Sequence, residues 1–232
     1  MTMDPLVLMT DVEDATAALL RASGSLADGE MGAPSLLAGW TVGHVLTHLA
    51  RNADALTNLL TWARTGVETP AYASPEDRTA GIEAGAARPV AEQLADLRAA
   101  HERFADAAAA MPAAAWTTRL PLAKSAAAVP WLRLCEVEVH RVDLGRGYTP
   151  ADWPDAFALR LLRAIVTDPP AGSPDMVLRP FGLEHPLVIG SGAGPVVGGP
   201  TRALAAWLIG RADGADLTVS PDGELPEPAR WR

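Results

Sequence analysis

Apolar residues recur at helical spacing through roughly the first two-thirds of the sequence, with polar residues between them. Between residues 6 and 26, Val12, Ala15 and Leu19 fall on one helical face. Thr41 suits an N-cap, and proline suits the first position of a helix near residue 130. The pattern predicts four long helices, at residues 6–26, 41–64, 89–111 and 130–145. Four helices with one apolar face each predict a four-helix bundle, with loops at 69–78 and 113–129.

The pattern changes after residue 148, where short apolar runs replace long amphipathic segments. Two further helices are predicted, at 154–167 and 201–209, with strands at 176–179, 186–190, 195–198 and 217–220. The predicted fold class is α+β, with a helical-bundle domain at 1–148 and a small domain at 149–232 whose sheet is mostly antiparallel. The GSGAG segment at 190–194 is interpreted as a hairpin turn, because no helix follows it as a phosphate loop would require.

Composition excludes several classes of function. The chain has 232 residues and a formal net charge of −9, with no block of Lys or Arg, so nucleic acid is not an expected partner. No apolar run reaches the ~18 residues that cross a bilayer, so no membrane association is expected. The N-terminal segment lacks a basic region, so we expect no secretory signal. The single cysteine indicates a reducing cytoplasm.

Two predicted helices carry residues that bind metals. His44, His48 and Asn52 lie at i, i+4 and i+8 on the second helix, and Glu136 and His140 lie at i and i+4 on the fourth. Taken alone, either group is typical of solvated side chains. Together on two core-facing helices they favour a site in which His48, Glu136 and His140 supply three N/O ligands. Three ligands with an open position are the arrangement of catalytic zinc, although Ni²⁺ or Co²⁺ also suits them.

Several other residues are expected to have structural or surface roles rather than chemical ones. Cys135 is expected to pack as a small apolar residue. Glu138 is expected to be solvated. His101 and His185 are expected to be structural or surface residues. Arg211 follows the apolar helix of the second domain. Its guanidinium could hold a carboxylate or could interact with the C-terminal end of that helix, and the sequence favours neither.

A family resemblance combines these features. The segments GWTVGHVLTHLARNADAL, EVEVHRVDLG, GRADG and GELPEPARW, with residues 58–78, resemble mycothiol-dependent maleylpyruvate isomerases, which belong to the DinB-like superfamily of metal-binding four-helix bundles. The resemblance implies zinc held by His48, Glu136 and His140, mycothiol as thiol cofactor, and a dicarboxylate substrate. It also implies that Arg211 assists the reaction, and Asn52 becomes a candidate cofactor contact or a structural residue. A monomer or small homo-oligomer is expected.

The chain departs from the family pattern at two places. Cys135 stands where family members often have arginine, and the segment PLAKSAAAVPW replaces a G-R-x-x-P-A stretch. Both changes leave the expected ligands in place and concern the substrate. The leading hypothesis is isomerisation of maleylpyruvate to fumarylpyruvate, a step of gentisate degradation. The alternatives are a mycothiol S-transferase and a non-enzymatic bundle that binds metal or a ligand.

Overall fold

The computed structural model describes residues 5–121 and 123–231, which form two compact units. The chain passes from the first unit to the second between Arg146 and Gly147. The α+β fold class is confirmed, with a helical bundle followed by a small unit containing a sheet. The exact division into domains at 1–148 and 149–232 stays a proposal. No helix in the described part of the chain is long and apolar enough to span a membrane.

The described residues of the N-terminal unit form five α-helices, of which four correspond to the predicted ones. They are α1 (Pro5–Ser23), α2 (Val42–Thr65), α3 (Pro75–Ala86), α4 (Val90–Ala109) and α5 (Val129–Asp143). Their ends follow from capping chemistry. The hydroxyl of Thr41 accepts a hydrogen bond from the backbone N–H of His44, and Gly66 adopts a left-handed conformation (φ 73°) at the C-cap of α2. Helix α2 is central, and packs against α3, α4 and α5.

Helix α3 lies partly where a loop was predicted, and the loop interpretation of residues 69–78 is wrong from residue 75 onward. Its apolar pattern is weak, since its buried residues are Ile82, Gly85 and Ala86. The helix is instead started by Ser74, which accepts a hydrogen bond from the Asp77 N–H.

Two glycines bring α3 close to α2. A Cβ added at Gly43 would lie 1.9 Å from the carbonyl oxygen of Ala86, and one at Gly85 would lie 2.5 Å from the Thr47 side chain. Neither position can hold a larger residue without separating the helices. The close approach therefore places the end of α3, at Gly85 and Ala86, against the first two turns of α2.

The C-terminal unit combines two helices with a mixed sheet. Its elements are α6 (Asp155–Thr167), β1 (Met176–Pro180), β2 (Leu187–Ile189), β3 (Val196–Gly199), α7 (Thr201–Leu208) and β4 (Thr218–Ser220). The strand order is β2-β1-β3-β4. The β1–β2 and β3–β4 pairs are antiparallel and the β1–β3 pair is parallel, so the sheet is mostly antiparallel as predicted.

The hairpin interpretation of residues 190–194 is wrong. Strands β2 and β3, which this segment joins, do not pair with each other, because β1 lies between them. The segment is therefore a crossover connection. Its glycines meet a tight steric requirement, since a Cβ at Gly194 would lie 1.6 Å from the carbonyl oxygen of Asp175.

Candidate metal centre

Three side chains from α2 and α5 converge in the N-terminal unit. His48, Glu136 and His140 each direct one ligand atom toward a common point, with those atoms within 4.8 Å of one another. Nε2 of His48 lies 2.9 Å from Oε2 of Glu136, and Nε2 of His140 lies 3.4 Å from the same oxygen. These residues are called the triad below. Within the part of the chain that the structure describes, the triad is the one cluster of three or more His, Cys, Asp or Glu side chains placed to hold a metal ion.

The helices account for this convergence. Glu136 and His140 are one turn apart on α5 and therefore share a face, and α5 packs against α2. His48 is buried, with 4% of its surface exposed, whereas 32% of the Glu136 side chain is exposed. The triad is thus open to solvent at one side, as a site with a replaceable ligand must be.

Asp143 orients the second histidine, and sequence reasoning missed it. Nδ1 of His140 lies 2.8 Å from Oδ2 of Asp143, whose side chain is 1% exposed. The imidazole donates its Nδ1 hydrogen to this carboxylate, which leaves Nε2 facing Glu136. A carboxylate behind a histidine ligand is the common supporting arrangement in metal sites. The signal was available, since Asp143 lies three residues after His140 on the same helix.

The two histidines of the triad have pKa values shifted in opposite directions. Burial lowers the pKa of His48, so its imidazole is neutral at neutral pH. Burial also acts to lower the pKa of His140, but hydrogen bonds to Asp143 and Glu136 outweigh it and raise that pKa to about 9. Burial acts to raise the pKa of Glu136, yet the hydrogen bonds from His140 and His48 hold it well below its usual range. At neutral pH the cluster therefore holds one imidazolium and one carboxylate.

The donor set fits a borderline divalent cation. Two imidazoles and one carboxylate are ligands that zinc accepts, and only the His140 proton must be lost for all three to coordinate. Asp143 then serves as acceptor for the remaining ring hydrogen of His140. The three ligand atoms already lie within 4.8 Å of one another, so the triad can serve as a metal site without movement of α2 or α5.

Arg78 lies beside His48, and Tyr72 lies beside Arg78. Sequence reasoning missed both residues because they lie in the segment that was interpreted as a loop. Nη2 of Arg78 lies 3.4 Å from Nδ1 of His48, on the side of the ring away from Glu136. The Arg78 guanidinium also lies over the Tyr72 ring, 5.8 Å from its centroid. Burial raises the pKa of Tyr72, so its hydroxyl stays protonated. On another side, the Trp40 ring contacts His48 edge-on, with centroids 5.4 Å apart.

Asn52, expected as a cofactor contact or a structural residue, is engaged with a buried cation. Its Oδ1 accepts a hydrogen bond of 2.9 Å from Nη1 of Arg133, which also donates to the carbonyl of Leu49. Arg133 is fully buried, at 0% exposure, and burial lowers its pKa to about 10. The carbonyl oxygen of Asn52 is therefore occupied, and a contact with a cofactor is left to its amide nitrogen.

Other residues singled out in the sequence lie apart from the triad. His44 interacts with Thr41 through Nδ1 and with Glu83 through Nε2. Cys135 is buried and free of disulfide bonds, as a packing residue should be. The expectation that Glu138 is solvated is wrong: it is buried, with 4% exposure, because α5 is surrounded on more than one face. Burial lowers the pKa of His101 to about 4, with a smaller contribution from Arg133.

Arg211 belongs to the C-terminal unit, just beyond α7. Its backbone N–H donates to the carbonyl of Ala206, and its Nη1 donates to the carbonyl of Ile209 at 2.9 Å. One guanidinium nitrogen thus satisfies a carbonyl at the end of the helix, which matches the second of the two roles weighed from sequence. A role for Arg211 in the reaction is a proposal and is taken up below.

Comparisons with known proteins give one matching family and two similar solved structures. Residues 12–145 match the family described as the mycothiol maleylpyruvate isomerase N-terminal domain. A crystal structure of the mycothiol-dependent maleylpyruvate isomerase is 31% identical in sequence, covers 99% of this chain and 98% of its own, and superposes with a TM-score of 0.88. A structure of a histidine-to-alanine mutant of the mycothiol-dependent maleylpyruvate isomerase matches with the same identity, coverage and score. No match was found among curated proteins.

Proposed function

Because the chain belongs to the mycothiol-dependent maleylpyruvate isomerase family, we propose that it is a zinc- and mycothiol-dependent isomerase that converts maleylpyruvate to fumarylpyruvate. The observation that carries the proposal is the triad with Asp143 behind it. His48, Glu136 and His140 would hold the cation. When bound, that cation would lower the pKa of the cofactor thiol, so that it reacts as the thiolate that adds reversibly to a conjugated alkene.

The protein's own residues prepare this chemistry. Asp143 holds the His140 ring so that Nε2 faces the triad, and His48 is kept neutral by burial. Both rings are thus oriented toward the triad before a cation arrives, and only His140 must lose a proton to coordinate. The exposed part of Glu136 marks the open side, from which a small thiol and a small dicarboxylate would approach.

Arg211 is proposed to neutralise a substrate carboxylate or the oxyanion that develops when the alkene is attacked. A guanidinium suits this role because its planar N–H groups can contact both oxygens of a carboxylate. If it acts this way, Arg211→Lys should lower kcat more than it raises KM, since the interaction strengthens in the transition state.

The decisive test measures cis–trans conversion of maleylpyruvate by the purified protein with and without mycothiol, together with its zinc content. We expect about one zinc per chain and turnover that requires the thiol, both lost in His48→Ala. A matched control is His44→Ala, which changes a histidine on the same helix outside the triad. No turnover above background by the zinc-loaded protein with mycothiol would contradict the proposal.

Product analysis separates the isomerase from the S-transferase considered from sequence. An isomerase returns the thiol unchanged and gives a trans product, whereas a transferase gives a stable thioether. Both solved structures found by comparison are described as isomerases, and neither description names a transferase.

A further inference from the structure

Arg78 contacts the triad at His48 and has no acidic partner among the described residues. Three arginines that pack along α2 and α4 are paired with acids: Arg51 and Arg88 both contact Asp96 at 2.7 Å, and Arg103 contacts Asp54 at 2.6 Å. Within residues 5–121 and 123–231, Arg78 forms no such ion pair, and its contacts are His48 and Tyr72. The fork of N–H donors on a guanidinium matches the geometry of a carboxylate.

The contact between Arg78 and His48 cannot persist as a hydrogen bond in the metal-loaded protein. Nε2 of His48 faces Glu136 and is the atom available to a cation. An imidazole that coordinates through Nε2 carries its hydrogen on Nδ1, which then donates. Nη2 of Arg78, 3.4 Å away, is also a donor. Two donors would therefore face each other with no acceptor between them.

The two histidines of the triad differ in this respect. His140 has Asp143 as the acceptor for its Nδ1 hydrogen, whereas the Nδ1 of His48 faces a guanidinium. Histidine ligands ordinarily donate their second nitrogen to a carboxylate, a carbonyl or water. Among the described residues the contact at Nδ1 of His48 is Arg78, and a carboxylate of a ligand can accept from both side chains.

We propose that Arg78, held against the Tyr72 ring, binds a carboxylate of the substrate beside His48. The inference rests on the proposed function for the identity of the substrate, a dicarboxylate. Tyr72 limits the directions in which the guanidinium can turn, which reduces the entropy lost on binding. Arg78 is thus a specificity-determining residue, which selects electrophiles that carry a carboxylate over neutral ones.

The test uses zinc-loaded protein and maleate, a cis-dicarboxylate without the reactive carbonyl, with dimethyl maleate as the neutral analogue. Calorimetric titration should show that the wild type binds maleate and that Arg78→Gln binds it about 10- to 100-fold more weakly, the loss typical of a charged hydrogen bond. Arg78→Lys should recover part of this affinity. Binding of dimethyl maleate should be equally weak in all variants, and zinc content should not change.

Arg103→Gln is the matched control, because it removes an exposed arginine that pairs with Asp54 outside the site. It should bind maleate as the wild type does. The proposal is overturned if Arg78→Gln binds maleate within twofold of wild type, if zinc-loaded wild type does not bind maleate at millimolar concentration, or if phosphate displaces maleate with equal affinity. Binding is measured without mycothiol or turnover, so a protein that fails the isomerase assay can still confirm the role of Arg78, and the reverse also holds.

Discussion

Zinc binding at the triad should release one proton per site at neutral pH, and the proton comes from His140. In the metal-free protein the pKa of His140 is raised to about 9, while Glu136 is ionised and His48 is neutral. A cation and a proton therefore compete for Nε2 of His140 alone. Below pH 9 each unit of acidification should weaken zinc binding tenfold, since one proton must be displaced.

The size of the pH effect on zinc affinity follows from the exchange of one proton for one cation. Between pH 6.5 and 8.5 the apparent affinity should rise about 100-fold, or about 2.7 kcal/mol at 1.36 kcal/mol per pH unit. Competition with a chromophoric chelator gives the affinity at each pH. Calorimetry in buffers of different ionisation enthalpy counts the protons released, and about one is expected at pH 7.5.

Asp143→Asn tests the cause of the shift. An amide keeps the shape of the carboxylate and removes its charge, so the pKa of His140 should fall toward 6.5 and the pH dependence above pH 7 should flatten. Zinc affinity at pH 8.5 should also fall roughly 10- to 100-fold, the usual effect of losing a partner behind a histidine ligand. An affinity independent of pH in the wild type, or an unchanged slope in Asp143→Asn, would refute the assignment of the proton to His140.

Two further predictions concern the scaffold. Asn52→Leu removes an acceptor from the fully buried Arg133 and should lower the free energy of unfolding by about 2–4 kcal/mol in urea titrations; unchanged stability would mean that Arg133 does not depend on this contact. Gly43→Ala places a Cβ 1.9 Å from the Ala86 carbonyl and should destabilise by about 1–3 kcal/mol. Gly81→Ala, whose Cβ meets no atom closer than 3.8 Å, is the control and should stabilise α3 by up to about 1 kcal/mol; equal effects in thermal unfolding would contradict the close approach.

Sequence patterns predicted elements whose ends are fixed locally. The start of α2 is set by Thr41 and its end by Gly66, and both signals are visible in the sequence because capping depends on the residues within one turn. Helix α3 was not predicted, because its stability comes from packing on α2 rather than from an apolar stripe of its own. The strand order was equally inaccessible, since residues 190–194 have turn composition whether or not the strands they join are paired.

The spacing argument selected the three residues that the structure brings together, because i and i+4 on α5 fix two of them and bundle packing supplies the third. It did not find Arg78, since a contact between a short helix and α2 leaves no periodic signal. It misjudged Glu138 for a related reason. One apolar face was assumed for α5, whereas the helix packs against both α1 and α2.

The cations beside the triad differ in what they can do for a ligand. Cys135, directly before Glu136, is buried and adds no charge there. Two guanidinium groups act electrostatically on the triad, Arg78 on His48 and Arg133 on Glu136. Arg133 is fully buried and held by the Leu49 carbonyl and by Asn52, so it is fixed as part of the core. Arg78 is half-buried and can turn toward a ligand. Binding of a carboxylate beside the triad should therefore depend on Arg78 more strongly than on Arg133.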